Sequence, residues 1–140
     1  MVLLLSMDRR DIARKKVGRI GEDLACLFLQ RKGFKIIDRN YRKPWGEIDV
    51  IAESKNIVRF IEVKAVSRES GADISHEIDY RPEEMVQKSK LNKLARTAAL
   101  YMESKKDRRE YQIDVVGVIL NDETKTARCR LFEQALEDNL

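Results

Sequence analysis

The chain has little of what staples small proteins together or carries a cofactor. Its two cysteines, Cys26 and Cys129, lie far apart with no CxxC partner, so neither a zinc site nor a disulfide framework is indicated. A single histidine, His76, leaves little basis for a His–His metal motif or a Ser-His-Asp triad. No apolar run approaches the ~20 residues needed to cross a bilayer. The opening Val2–Leu5 run is shorter than the ~7–15-residue core of a signal peptide, and Met7 offers an alternative start. Gly18-xx-Gly21 lacks the Lys-Ser/Thr pair of a phosphate loop and suits close helix packing instead. Repeats, low-complexity tracts and an obvious linker are also missing. These absences lead us to expect a cytoplasmic protein with no membrane partner, built as one domain over residues 1–140.

Aromatic residues make up 6% and charged residues 37% of the 140, a balance that also occurs in disordered chains. The 43% that is hydrophobic falls in periodic runs, however, and a chain of this length can bury one core unaided. The net charge of +4 conceals a sharper pattern. Arg9 to Lys43 holds twelve Lys/Arg against four Asp/Glu, and Lys88 to Arg109 holds eight against two. Those stretches carry +8 and +6, leaving −10 for the remainder. Such segregation suits a protein that holds phosphates on one face and a metal in another patch; basic helices that are merely solvated would read the same way.

Arg14 to Lys32 has Val17, Ile20, Leu24, Leu27 and Phe28 at helical spacing, and Gly33 is placed to end that helix in a left-handed cap, with Phe34 folding back. Lys35–Tyr41 reads as a short strand, followed by a turn at Pro44-Trp45-Gly46. Two strands, Glu47–Glu53 and Ile57–Val66, are joined by a Ser54-Lys55-Asn56 break short enough for a hairpin. Residues 1–12 are expected to be flexible and 67–81 to form a loop. Pro82–Met102 is mostly helical, with Leu91, Leu94, Ala95, Ala98 and Tyr101 or Met102 on one stripe. Tyr111–Leu120 and Ala127–Phe132 are strands, and Glu133–Asp138 suits a terminal helical turn. The order α-β-β-β-α-β-β defines an α/β fold with a mixed central sheet flanked by helices.

If the hairpin turns on Lys55-Asn56, Asp49 faces Glu62 and Glu47 faces Lys64, on the same side and ~4.5–5.5 Å apart at the β-carbons. That face continues as Ile51, Val58, Phe60 and Val66, interrupted only by Glu53 near the turn. The reverse face reads Ile48, Val50, Ala52, Ile61, Val63 and Ala65, with only Arg59 polar. Charges in such buried strands cost several kcal/mol unless compensated. Ion pairs with Lys64 are one form of compensation. Three carboxylates against one lysine leave −2, though, and a hard divalent cation with oxygen ligands would neutralise it.

The same residues carry a resemblance. Gly46-Glu47-Ile48-Asp49 followed by Glu62-Val63-Lys64 resembles the PD-(D/E)XK nuclease signature, with Ile48 where a proline often stands, as in archaeal Holliday-junction resolvases. Glu22, within Gly18-Arg19-Ile20-Gly21-Glu22, is similar in position to the helical Glu of those resolvases. The ordered series also includes Ala25, Asn40-Tyr41-Arg42, Pro82-Glu83-Glu84-x-Val86, Lys90-xxx-Leu94 and Asp114-Val115-Val116. It resembles the YraN-type family of small bacterial predicted endonucleases along nearly the whole chain.

The resemblance implies a restriction-endonuclease-like fold and hydrolysis of phosphodiester bonds, with DNA ahead of RNA and structured or branched DNA as the expected substrate. Asp49, Glu62 and the Val63 backbone carbonyl would bind Mg²⁺ or Mn²⁺, with Glu22 contributing directly or through water. Lys64 would act on the attacking water or the transition state, and Glu47 would orient or support the site, a second bound ion being the alternative. Lys15, Lys16, Arg19, Arg42, Lys43, Lys88, Lys90, Lys93 and Arg96 would grip the sugar-phosphate backbone. Tyr41 and Trp45 would either pack the turn or stack on a base. A silent nucleic-acid-binding accessory protein and a docking module for an acidic partner are the alternatives, and a homodimer is compatible with all three. Asp114, in an apolar strand, would orient a basic residue that the sequence does not identify.

Overall fold

A computed structural model describes residues 2–4 (backbone), 17–68 and 86–136. The expected order of elements is present, preceded by an additional strand: β1 (Val2–Leu4), α1 (Val17–Arg31), β2 (Lys35–Lys43), β3 (Gly46–Ser54), β4 (Ile57–Arg68), α2 (Lys88–Ser104), β5 (Tyr111–Asn121) and β6 (Thr126–Phe132). They form one mixed sheet in the order β1-β6-β5-β4-β3-β2. Only β4 and β5, separated in sequence by α2, run parallel; the other neighbours are antiparallel. Parallel neighbours need a long crossover, and α2 supplies it.

Several boundaries differ from expectation. Val2–Leu4 pairs with Thr126–Arg128, so a strand lies inside the stretch expected to be flexible. Ser67 and Arg68 extend β4 alongside Leu120 and Asn121 and are not loop. The second helix begins at Lys88, because Gln87 is extended (φ −71°, ψ 146°). After β6 the chain turns at Ala135-Leu136 without helix among the described residues, and Ala135 N–H instead donates to Ile113 O at 2.8 Å. Met1 and residues 5–16, 69–85 and 137–140 lie outside the described part, and with them Lys15, Lys16, His76 and most of the expected loop.

Each helix covers one face of the sheet. On one side Ile20, Ala25, Phe28 and Leu29 of α1 pack on Val50, Ala52, Ile61, Val116, Val118 and Leu120. Leu27, expected inside, is 38% exposed; Leu29 takes its place. Gly21 allows the close approach, since a β-carbon there would lie 2.3 Å from that of Ala65. Gly33, at φ +94°, ends α1 as expected, and Phe34 N–H donates to Leu29 O at 3.0 Å, the longer bond of a Schellman cap. On the other side Leu91, Leu94, Ala98, Tyr101 and Met102 of α2 cover Ile48, Ile51, Val58, Phe60 and Val115. Cys26 and Cys129 are buried free thiols.

A buried polar network sits at the far end of the sheet and answers the question of Asp114. This fully buried carboxylate accepts from Arg59 Nη1 at 3.0 Å, Gln112 Nε2 at 2.8 Å and Gln134 N–H at 3.0 Å. Arg59 also donates to Glu133 at 2.8 Å and lies over the Phe34 ring at 4.9 Å. The buried Asp114 charge is thereby paired and hydrogen-bonded, while Glu133, 55% exposed on its side chain, keeps contact with solvent. The network anchors the chain after β6 and leaves the chemistry to the opposite end of the β3–β4 pair.

Strand alternation breaks at a bulge between Ile36 and Asp38 of β2, and again where β3 carries Asp49. Residues two apart in a strand share a face. Yet Arg39 of β2 reaches Asp23 on α1 while Tyr41 meets Tyr101 on α2. In β3, Val50 joins the α1 cluster and Ile48 the α2 cluster, correcting the expected placement of Ile48. Between these residues lie Asn40, with φ +52°, and Asp49 opposite it. The pairs on either side, Arg39↔Val50 and Tyr41↔Ile48, keep one register. Both strands therefore rotate by one face at the same point and resume. Asparagine tolerates the left-handed region that this turn requires.

Candidate metal and nucleic-acid site

The β3–β4 ladder follows the expected register, Ser54↔Ile57 through Val50↔Ile61. It stops at Val50↔Ile61, one residue short of Asp49 and Glu62. Continued, the register would set Val63 against Ile48; instead Val63 N–H donates to Asp49 Oδ2 at 2.8 Å. The rotated Asp49 side chain thus replaces a ladder acceptor and stands in the gap between the strands. In extended backbone the N–H and C=O of one residue serve the same neighbour, so the Val63 carbonyl opens toward the same gap.

Glu62 reaches this gap from the α2 side. It is 7% exposed, and its carboxyl is pushed up to about 7, first by burial and then by the neighbouring Asp49 charge, against the pull of Lys90. Lys90 Nζ lies 2.7 Å from Glu62 Oε1. Glu22 approaches from α1. Burial and Asp49 raise its carboxyl above the ordinary range, against Arg39, whose Nη2 is 3.9 Å from Glu22 Oε1. Glu22 Oε1 is buried without a hydrogen-bond partner in the described structure. Two carboxylates that repel, and a third with an orphaned oxygen, are what a bound cation would relieve.

Among the described residues no three His, Cys, Asp or Glu side chains converge as a ready-made metal cage. A pair of carboxylates is enough for some ions. Magnesium keeps several waters and is held by one or two carboxylates plus substrate phosphates, whereas an all-protein cage suits calcium. The donor set fits such an ion: Asp49, Glu62 and the Val63 carbonyl, with Glu22 at longer range.

The expected four-charge patch is realised only in part. Asp49 and Glu62 come together. Glu47 is 61% exposed on its side chain and lies 4.0 Å from Arg42 Nη1, so it belongs to the rim. Lys64 is half-buried in register with Gly117, and alternation places it on the Glu62 face. The cation in contact with Glu62 is Lys90, not Lys64.

Around Glu62 opens a groove of about 720 Å³ with Arg42, Lys43, Lys90, Lys93 and Arg96 on its walls and Glu47 and Glu62 as its acids. A smaller hollow of about 290 Å³ beside Glu22 is lined by Arg19, Arg39, Asn40 and Arg42. Arg42 belongs to both and so stands between the two basic hollows. Of the expected phosphate-binding residues, Lys88 is exposed but lines neither. Arg39 was not foreseen, although an arginine one residue from a strand-breaking asparagine is a readable signal. The turn aromatics separate: Tyr41 is half-buried, edge-on to Tyr101 at 5.3 Å, while Trp45 is 52% exposed.

The fold and site define a mixed α/β protein with paired carboxylates at a break in its sheet, set among basic hollows. The chain belongs to the uncharacterised protein family UPF0102, whose model matches residues 21–118. A UPF0102 protein of Dictyoglomus thermophilum is 34% identical over 113 residues, covering 79% of this chain and 88% of the relative. One from Fervidobacterium nodosum is 38% identical over 105 residues, 75% of this chain and 72% of the relative. A Campylobacter concisus member is 40% identical over 102 residues, 72% and 81% respectively. Among the described residues no helix is long and apolar enough to cross a membrane.

Proposed function

We propose that this protein is a Mg²⁺- or Mn²⁺-dependent endonuclease that hydrolyses phosphodiester bonds of nucleic acid, with structured or branched DNA as its substrate. The observation that carries this reading is the Asp49–Glu62 pair at the end of the β3–β4 ladder, whose Glu62 opens into a groove walled by five cations. A hydrolytic phosphodiesterase needs that combination: hard oxygen ligands at the reacting phosphate and positive charge along the backbone that leads to it.

The bound ion would lower the pKa of a water molecule and offset charge on the scissile phosphate. Asp49, Glu62 and the Val63 carbonyl would hold it, with Glu22 reaching it through water. Lys64, on the Glu62 face, would position the attacking water and stabilise charge that develops in the transition state. Lys90 would leave Glu62 for a substrate phosphate as the ion binds. The first turn of α2 supports this assignment: it contains no acidic residue and sets Ser89 and Lys90 in the groove wall. Cations at the positive end of a helix dipole are unfavourable unless an anion is expected there.

One contact favours a second reading, a nucleic-acid-binding accessory protein without turnover. The Lys90–Glu62 pair at 2.7 Å already supplies Glu62 with a cation. Purified protein incubated with branched, nicked, flapped and single-stranded substrates in Mg²⁺ or Mn²⁺ separates the two. Nicking lost in both EDTA and Asp49→Ala supports the nuclease; binding with no metal-dependent product supports the accessory protein.

A further inference from the structure

The β2–β3 hairpin closes through the two residues Pro44 and Trp45, since Lys43 pairs with Gly46. Neither has a positive φ, and proline pre-sets the first turn position. Directly after the turn, Gly46 sits against α2 so closely that a β-carbon there would lie 2.1 Å from Thr97 Oγ1. Thr97 is itself 1% exposed and donates to Lys93 O at 3.1 Å. The base of the hairpin is thus docked on the groove-forming helix, and the tip is fixed relative to the groove. Pro44 and Gly46, the chain neighbours of Trp45, both line that groove.

Despite this anchoring, the Trp45 ring is 52% exposed, the most exposed large hydrophobic side chain among the described residues. Burying an indole is among the larger hydrophobic gains open to a chain, and Tyr41, four residues earlier, takes that course against Tyr101. A solvent-facing indole on an anchored turn, directly after Arg42-Lys43-Pro44 in sequence, has the make-up of a stacking platform beside a phosphate track. In an intact duplex both faces of a base are already stacked. Away from duplex ends, a side chain at a groove rim therefore stacks on an unpaired base.

We propose that Trp45 stacks on an unpaired nucleobase of a nucleic acid strand whose phosphates run through the groove, and that it selects substrates with single-stranded character next to the Asp49–Glu62 site. This rests on the nucleic-acid reading of that groove. Stacking of this kind is independent of base identity and raises affinity on the order of ten- to a hundred-fold per base.

Trp45 is the only tryptophan, so intrinsic fluorescence reports on this ring alone. The test titrates the metal-free protein in EDTA at low salt with oligo(dT) and with a blunt duplex of equal length. It measures tryptophan emission and, separately, the anisotropy of labelled nucleic acid. Oligo(dT) is expected to quench the emission and the duplex to leave it nearly unchanged. Trp45→Ala should weaken oligo(dT) binding ten- to a hundred-fold and alter duplex binding less than about two-fold, while Trp45→Tyr retains most of the affinity. If both nucleic acids bind but emission does not change and Trp45→Ala binds both like wild type, the stacking role is overturned and the nucleic-acid groove stands. If neither binds even at low salt, the groove reading falls and the stacking role with it.

Discussion

A site built to hold a cation should weaken the fold in the cation's absence, and Glu62 offers a way to measure this. Its carboxyl is moved from the ordinary 4.5 to about 7 by burial and by Asp49. The unfolded chain gives up this proton near 4.5 and the folded chain near 7. Between those values the native state binds more protons than the unfolded one, so stability falls as pH rises. Above both midpoints the shift corresponds to about 3 kcal/mol withheld from the fold.

Glu62→Gln keeps the side chain's shape and cannot ionise. It gives up the Lys90 ion pair, but Lys90 is 58% exposed and such a pair contributes little. In EDTA the variant should unfold like wild type at pH 5. At pH 8 it should be more stable by about 1–3 kcal/mol, or about 3–10 °C in Tm for a chain of this length. Saturating Mn²⁺ should reverse the order at pH 8, because only wild type gains binding energy on folding. Thermal or urea melts across pH, with and without Mn²⁺, give all four numbers. A Glu62→Gln protein that is less stable than wild type at pH 8 in EDTA, or differs from it equally at both pH values, would refute the strained-carboxylate account.

Three further outcomes follow from the same geometry. In titration calorimetry Asp49→Ala should weaken Mn²⁺ binding at least ten-fold, since both the ligand and its hold on the Val63 amide disappear; unchanged binding would place the ion elsewhere. The two lysines should separate: Lys64→Ala should lower cleavage by orders of magnitude at near-normal Mn²⁺ affinity, whereas Lys90→Ala should tighten Mn²⁺ binding and flatten the salt dependence of DNA binding. Identical behaviour of the two variants would remove the distinction. Gly21→Ala should cost about 1–3 kcal/mol, because its β-carbon would meet that of Ala65 at 2.3 Å and neither atom can rotate away. Gly18→Ala meets nothing within 4 Å and should be neutral or stabilising by up to about 1 kcal/mol; a loss at Gly18 equal to that at Gly21 would overturn the packing argument.

Much of the fold was legible because its signals are local and periodic. The apolar stripes of α1 and α2, the left-handed glycine at position 33 and the short Lys55-Asn56 turn each act within a few residues. The hairpin turn also set the register of β3 on β4, and the observed ladder keeps it. What was not legible depends on distant partners. A three-residue strand at Val2–Leu4 exists only because β6 offers an edge. Periodicity cannot detect it, and a flexible terminus was the expectation in its place. The start of α2 was misplaced by six residues, since the Pro82 helix signal was read without the extended backbone at Gln87.

The site was read from the rule of strand alternation, and it lies where that rule fails. Perfect alternation would have gathered Glu47, Asp49, Glu62 and Lys64 on one face, with Lys64 as the counter-charge. The paired rotation at Asn40 and Asp49 moves Ile48 to the α2 side, frees Asp49 from the ladder and leaves Glu47 at the rim. The counter-charge then comes from Lys90, in the first turn of α2 and 28 residues after Glu62 in sequence. No spacing within the hairpin could have named it. A regular strand pair has every backbone group satisfied and presents no gap. By spending one ladder bond and restoring it with the Asp49 carboxylate at Val63, the chain opens a polar cleft inside a buried sheet without leaving that amide unpaired. An asparagine that tolerates a left-handed backbone, placed opposite the acidic residue, is the local inconsistency that makes this arrangement possible.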